Sequence, residues 1–287
     1  MRMGGRAGST NVEDRRGMRI PGGRGAGIGC FGLLAVLVIS LLTGADPNQI
    51  LGLIGLVQQV TPATEQQVPA GPPPADDPQA KFVAQVLQGT EEAWGQVFAR
   101  SGHEYQKPTL VLFDGRVDSA CGLASAAVGP FYCPGDRKVY LDLAFFRELS
   151  QRFGAPGDFA QAYVIAHEVG HHVQNLLGLS DQVSARQRRA RSQEEASALS
   201  VRLELQADCF AGVYGHFDQQ YLEEGDVEEG LRAAAAIGDD MIQKQAQGYT
   251  APESWTHGSS QMRVRWLRQG LRSGDPASCD TFKTPQL

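Results

Sequence analysis

Residues 163–174 read Tyr-Val-Ile-Ala-His-Glu-Val-Gly-His-His-Val-Gln, and no other stretch limits the possible folds so tightly. His167 and His171 are four residues apart, so on a helix both imidazoles project from one face and can reach a single metal ion. Glu168 stands beside them, placed to work on a water at that ion. The surroundings predict the helix. Ala160, Val164, His167 and His171 follow 3/4 spacing, Asp158 with Gln161 reads as a capping box, and Gly178 can end the helix after Asn175-Leu-Leu. His172 points about 100° away from His171, so it reads as a packing or supporting residue rather than a ligand. The plain alternative is a pair of histidines on a buried helix face.

A hydrolytic zinc ion has three protein ligands and one open position. The third ligand predicted here is Glu204, in Arg202-Leu-Glu-Leu-Gln-Ala-Asp208-Cys-Phe-Ala-Gly. Glu204 and Asp208 share one face of a predicted helix, and Asp208 can take a hydrogen bond from the far nitrogen of a ligating histidine. A solvated helix surface is the competing reading. The apolar residues around the pair, Leu203, Leu205, Ala207, Cys209 and Phe210, argue for burial, and a buried carboxylate needs a partner. Cys121 is the other candidate ligand, as in the peptide deformylases, where a cysteine joins the two histidines.

The chain has 287 residues, formal charge −6 and a pI of about 5.5. With no long basic stripe, this excludes a nucleic-acid-binding reading. Arg186, Arg188, Arg189 and Arg191 form only a short cluster, read as a solvated face. Cys30 lies in an apolar N-terminal segment, which leaves Cys121, Cys133, Cys209 and Cys279. Four cysteines can pair in three ways. Cys121 with Cys133 closes a short loop, and Cys209 with Cys279 would tie the chain end to the core. Two disulfides would fit an oxidising compartment; four free buried thiols are the alternative.

Residues 1–25 are rich in Gly and Arg and read as a disordered basic segment. Residues 26–43 carry no charge and are just long enough to span a bilayer. Arginines on their N-terminal side predict a single-pass anchor with that end cytoplasmic and the rest outside. A cleaved signal peptide competes with this, against an unusually long basic region and an indifferent cleavage site. Residues 50–60 are apolar but too short to cross. Residues 44–78 form a membrane-proximal segment and Pro-rich linker, and the folded domain is expected over 79–287. Residues 1–80 hold six basic and six acidic side chains, so the domain carries the whole −6. Within it, 81–100 reads as a helix, and 109–113, 131–133 and 139–143 as strands of a small antiparallel sheet whose edge could hold an extended peptide. Residues 145–153 read as a short helix and 180–192 as a polar, basic insert. Helices are predicted from Ser192 to about His216, over 226–247 and over 259–272.

The chain resembles the gluzincin pattern of thermolysin-like metallopeptidases, and more closely the bacterial neutral zinc metallopeptidases known as YpfJ-like proteins. The resemblance rests on Cys121-Gly with Ala-Val-Gly-Pro-Phe-Tyr-Cys133, on His167 to His172, on Glu204-Leu-Gln-Ala-Asp-Cys-Phe-Ala-Gly212, on Ala-Ala-Ile-Gly-Asp-Asp240 and on Thr256-His-Gly-Ser259. It covers about 79–283 and implies a zincin-like α+β fold holding one zinc ion and acting on a peptide or protein. The expected roles are His167, His171 and Glu204 as ligands, Asp208 behind them, Glu168 as general base, and His257 as oxyanion donor, with Tyr249 a weaker candidate. For His257, helix capping or packing ahead of 259–272 is the competing role. Two other functions stay open: another zinc hydrolase, or a membrane-tethered binding module that keeps the metal for stability. An intact Glu168 argues against the second, since a structural zinc has no use for a base.

Overall fold

The computed structural model describes residues 1–18, 71–285 and 287. They gather into one compact unit, Met1–Arg16 with Ala70–Leu287, while a second unit, Gly17–Pro69, falls almost wholly outside the described residues. The expected anchor over 26–43, the apolar run over 50–60 and the linker as far as residue 70 lie outside them too. Among the described residues no helix is long and apolar enough to cross a membrane.

The sheet is mixed, in the order β1 (Val12–Asp14), β2 (Thr109–Phe113), β6 (Lys138–Asp142), β5 (Phe131–Cys133). β1, β2 and β6 run parallel, and only β5 is antiparallel, with Phe131 opposite Tyr140 and Cys133 opposite Lys138. The expectation of an antiparallel sheet is therefore corrected. Pro134 to Arg137 does turn β5 back on β6, as the turn residues indicate. The inner strands carry continuous apolar runs, Leu110–Phe113 and Val139–Leu141, all buried, which is the pattern of parallel strands covered on both faces. A hairpin of β3 (Arg116–Ser119) and β4 (Gly122–Ser125) rises between β2 and β5. Its turn holds Cys121, disulfide-bonded to Cys133 at the end of β5.

A second correction concerns the N-terminus. Residues 1–18 are part of the fold, not a disordered segment. β1 lies in register with β2, Val12 opposite Leu110. Arg6 is buried and paired with Asp218 at 2.5 Å and Glu92 at 2.7 Å, and its guanidinium lies over the Tyr221 ring. The carboxylates that neutralise Arg6 stand far along the chain, so local composition could not reveal them.

Helix α1 (Pro78–Arg100) is capped by Asp77, which accepts from Gln79 and Ala80. It is followed by α2 (Ala144–Gln151) and the motif helix α3 (Asp158–Leu176). The expected capping box does not form: Gly157 is the N-cap, and the Asp158 carboxylate meets the Met1 ammonium at 2.5 Å. Left-handed Gly178 (φ 71°) closes the end of α3, as read from sequence, and the 180–192 stretch contains a helix, α4 (Leu179–Gln187). The long helix α5 (Gln193–Phe217) starts at Ser192, whose hydroxyl accepts from the Glu195 amide. In place of one helix over 226–247 there are two, α6 (Asp226–Ala236) and α7 (Asp239–Gln247). At the break Gly238 leaves the helical conformation (φ −70°, ψ 145°) and lies against the start of α8 (Ser260–Ser273): a Cβ there would sit 2.4 Å from the Ser260 amide nitrogen. α8 crosses α5 at two glycines, and a Cβ on Gly270 would fall 1.9 Å from the Cys209 carbonyl oxygen. The Cys209–Cys279 disulfide locks this crossing, so both expected cysteine pairs are present.

Replacing Arg6 by Ala would leave Asp218, whose side chain is 5 % exposed, as a buried carboxylate without its cation. Chemical denaturation of the full chain should show a loss of about 3–5 kcal/mol. A loss comparable to a surface substitution would mean that the N-terminal segment is not docked.

Candidate metal centre

α3 and α5 pack with Gly170 against Ala207, where an added Cβ would come 3.0 Å from the Ala207 carbonyl oxygen. This close approach brings Glu204 of α5 over the two histidines of α3. His167 Nε2 lies 3.1 Å from Glu204 Oε2, His171 Nε2 lies 3.5 Å from Glu204 Oε1, and the two Nε2 atoms are 3.2 Å apart. Ligands at zinc–nitrogen distance on a tetrahedron stand about 3.3 Å from one another. The three spacings are close to that value, the carboxylate meeting the two rings with its two different oxygens, and two imidazoles with one carboxylate are a donor set that zinc takes. Among the described residues Cys121 has no part in it, being bonded to Cys133.

Hydrogen bonds behind the histidines set their tautomers. His167 Nδ1 donates to Asp208 Oδ1 at 2.9 Å, and His171 Nδ1 donates to Gln174 Oε1 at 3.0 Å. Each leaves Nε2 turned to the site with a lone pair for a metal. Gln174 is itself fixed, its amide donating to the Leu203 carbonyl at 2.7 Å. Asp208 is fully buried and also accepts from Tyr163 at 2.6 Å and from Arg263 of α8 at 2.8 and 2.9 Å. Gln174, Tyr163 and Arg263 were not predicted. Gln174 could have been found as the residue one turn after His171. Arg263 could not, because only the α5–α8 crossing carries it inside.

The electrostatics suit a cation. Burial alone would push the histidines down, but Asp208 and Glu204 outweigh it, holding His167 up to about 10 and raising His171 as well. Burial would raise the carboxylates; instead Arg263 and His167 hold Asp208 down to about 2, and the two histidines hold Glu204 well below the usual range. Without metal, the imidazoles keep protons where a dication would otherwise supply the positive charge.

Glu168 is buried at the edge of the same cleft, which has a volume of about 690 Å³. Its walls include Val128, Phe131, Phe145, Phe153, Leu203 and Ile242. His257 lies on the cleft as well, with Nδ1 3.3 Å from Asp239 Oδ1. The other oxygen of Asp239 accepts the amides of Thr256, His257 and Gly258 at 2.8, 2.7 and 3.0 Å, so Asp239, another residue not predicted, shapes the loop that presents His257. Tyr249 is exposed and is absent from the cleft lining. His172 is fully buried; burial depresses it to about 4. Its Nε2 donates to the Gln106 carbonyl at 2.6 Å and its Nδ1 accepts from the Tyr132 hydroxyl at 3.0 Å. It is the supporting residue expected from its position, tying α3 to the edge strand β5.

Two measurements follow for the metal. Gln174→Ala and Asp208→Asn should each weaken zinc affinity about 10- to 100-fold in competition with a chromogenic chelator, and Glu204→Ala should abolish stoichiometric binding. Zinc uptake near pH 7 should release at least one proton per ion, because His167 is held protonated to about 10. Calorimetry in buffers of different ionisation enthalpy reads that number, and no release would contradict the charge arrangement.

The family model described as "Putative neutral zinc metallopeptidase" matches residues 1–282, which includes the N-terminal strand. The chain is similar to the YpfJ protein of Escherichia coli (strain K12), at 48 % identity over 98 % of this chain and 99 % of that one. It is also similar to protein Rv2575 of Mycobacterium tuberculosis (strain H37Rv), at 46 % identity over 64 % of this chain and 65 % of that one. No solved structure matches it. The chain thus belongs to the neutral zinc metallopeptidase family.

Proposed function

We propose that this protein is a zinc-dependent peptidase that hydrolyses peptide bonds within an extended segment of substrate. The observation that carries the proposal is the convergence of His167, His171 and Glu204 on one point of the cleft, with Glu168 at its edge. His167, His171 and Glu204 hold the ion. Zinc bound there supplies Lewis acidity, making a water more acidic and a carbonyl more electrophilic.

The chain's own residues do the rest. Glu168 accepts the proton of the attacking water and passes it to the leaving amine nitrogen. His257, in its doubly protonated form with Nδ1–H held by Asp239, offers Nε2–H to the carbonyl oxygen as that oxygen gains negative charge. β5 is an outer strand of the sheet, and its unpaired side suits an extended peptide held by main-chain hydrogen bonds. Tyr132 of β5 is held by His172 and by Asn175, so the strand that aligns the substrate is fixed directly to the helix that carries the metal ligands. The apolar cleft walls favour bulky apolar side chains beside the cleaved bond.

Incubating the zinc-loaded full chain with a peptide library tests this. Glu168→Gln should keep its zinc and lose cleavage. His257→Ala should keep its zinc and lose about 10²–10³ in kcat. Equal cleavage by wild type and Glu168→Gln at full zinc occupancy would remove the peptidase reading and leave a binding module.

A further inference from the structure

Both ends of the chain excursion between the N-terminal strand and α1 are fastened to the same place. At its start, β1 is hydrogen-bonded into the sheet: the Leu110 amide donates to the Asn11 carbonyl and the Arg15 amide to the Leu112 carbonyl, each at 2.8 Å. At its end, Gly71 forms an antiparallel bridge with Asp14 itself, the Asp14 amide donating to the Gly71 carbonyl at 2.6 Å. Arg16 then spans the gap, donating to Asp14 and, at 2.7 Å, to Asp77, the N-cap of α1. The chain leaves the domain and rejoins it within a few ångströms.

The start of the chain is also bound deeply. Gln85 donates to the carbonyls of Met3 and Arg6 at 2.9 and 2.8 Å. Glu91 accepts from Ser9 and Asn11 at 2.6 and 2.8 Å. The Met1 ammonium faces Asp158 at 2.5 Å and Asp226 at 3.1 Å. A single membrane crossing between residues 18 and 71 would put these groups on opposite sides of the bilayer. It would strip β1 from β2 and leave Asp218 buried without its cation.

The first arginines of the chain are also engaged within the domain. Arg2 pairs with Glu223, Arg6 with Asp218 and Glu92, Arg15 with Glu13, and Arg16 with Asp14 and Asp77. Those charges are spent within the domain. The two disulfides place the domain in an oxidising compartment.

We infer that residues 1–18 and 71–287 occupy the same, extracytoplasmic side of the membrane. The N-terminal segment is then a working part of the metallopeptidase domain. The inference does not depend on the peptidase reading.

Cysteine labelling of the full chain in bacterial spheroplasts tests it, with Cys30→Ser as background. Arg2→Cys and Lys283→Cys are introduced singly at residues whose side chains are 78 % and 89 % exposed. Both should react with a membrane-impermeant maleimide in intact spheroplasts, to similar extents. Labelling of Arg2→Cys only after permeabilisation overturns the inference. A second measurement, on the native chain, guards against local unfolding. Glu13 and Lys138 are an ion pair at 2.7 Å across the sheet, and zero-length carbodiimide coupling in spheroplasts should join the two side chains in an amide bond, found by mass spectrometry of the digest, with the Asp280–Lys283 pair at 2.9 Å as internal control. Coupling of Asp280 to Lys283 with none between Glu13 and Lys138 would part the N-terminus from the sheet and refute the proposal.

Discussion

The centre of this structure depends on one buried carboxylate. Asp208, on α5, is fully excluded from water and accepts hydrogen bonds from partners on two other helices, Tyr163 and His167 on α3 and Arg263 on α8. An ionised group at that depth is tolerated only when its hydrogen-bonding capacity is filled. Here filling it forces the three helices into one arrangement. The glycines do the complementary steric work. Gly170 lets α3 lie against α5, and Gly270 lets α8 lie against α5, so that Arg263 and His167 reach the same carboxylate. Ligand orientation and helix packing are thus one problem with one solution.

The sheet is tied to this centre through a different histidine. His172 is adjacent in sequence to a candidate ligand but projects the other way, onto the Tyr132 hydroxyl and the Gln106 carbonyl. A neutral ring meets both demands at once, donating at one nitrogen and accepting at the other, and burial keeps it neutral. Its neighbour in the contact, Tyr132, also receives the Asn175 side-chain amide. The pair of histidines His171-His172 therefore divides its work: one ring faces the metal position, the other holds the strand that flanks the cleft. The Cys121–Cys133 bond pins the far end of that strand to the β3–β4 hairpin.

What the sequence discloses here follows the range of the interactions. The motif helix, the Glu204–Asp208 helix with its Ser192 cap, the turn between β5 and β6 and the two cysteine pairs are legible, since each rests on residues close in sequence or on a small pairing choice. His167, His171, Glu204 and Asp208 can be placed together because helical spacing does most of the placing. Arg263 cannot, since one of four arginines in an amphipathic helix looks solvated until two glycines are seen to bury it. Asp239 is hidden for the same reason: its partners are backbone amides of a loop 17 to 19 residues on. The N-terminal segment is the least legible: its Gly- and Arg-rich composition reads as disorder, yet Arg6 and Arg2 find their partners in Asp218 and Glu223, more than two hundred residues away. Charge composition measures what a segment must neutralise and is silent on where the neutralising groups come from.

The formal charges of the centre lead to the same occupant as its geometry. Glu168, Glu204 and Asp208 bring three negative charges to a poorly solvated site, and Arg263 returns one positive charge. Two negative charges are left over. In the absence of metal, protons on His167 and His171 offset that charge, which is the direction in which both rings are shifted. A dication held by neutral rings restores it equally well and frees the protons. Monovalent ions would leave the site short of charge, and a closed four-ligand structural site would need a further donor, whereas the donors clustered at this centre, among the described residues, are His167, His171 and Glu204. A divalent ion bound by three residues keeps a coordination position for a water within reach of the cleft, and that open position separates a hydrolytic centre from a structural one.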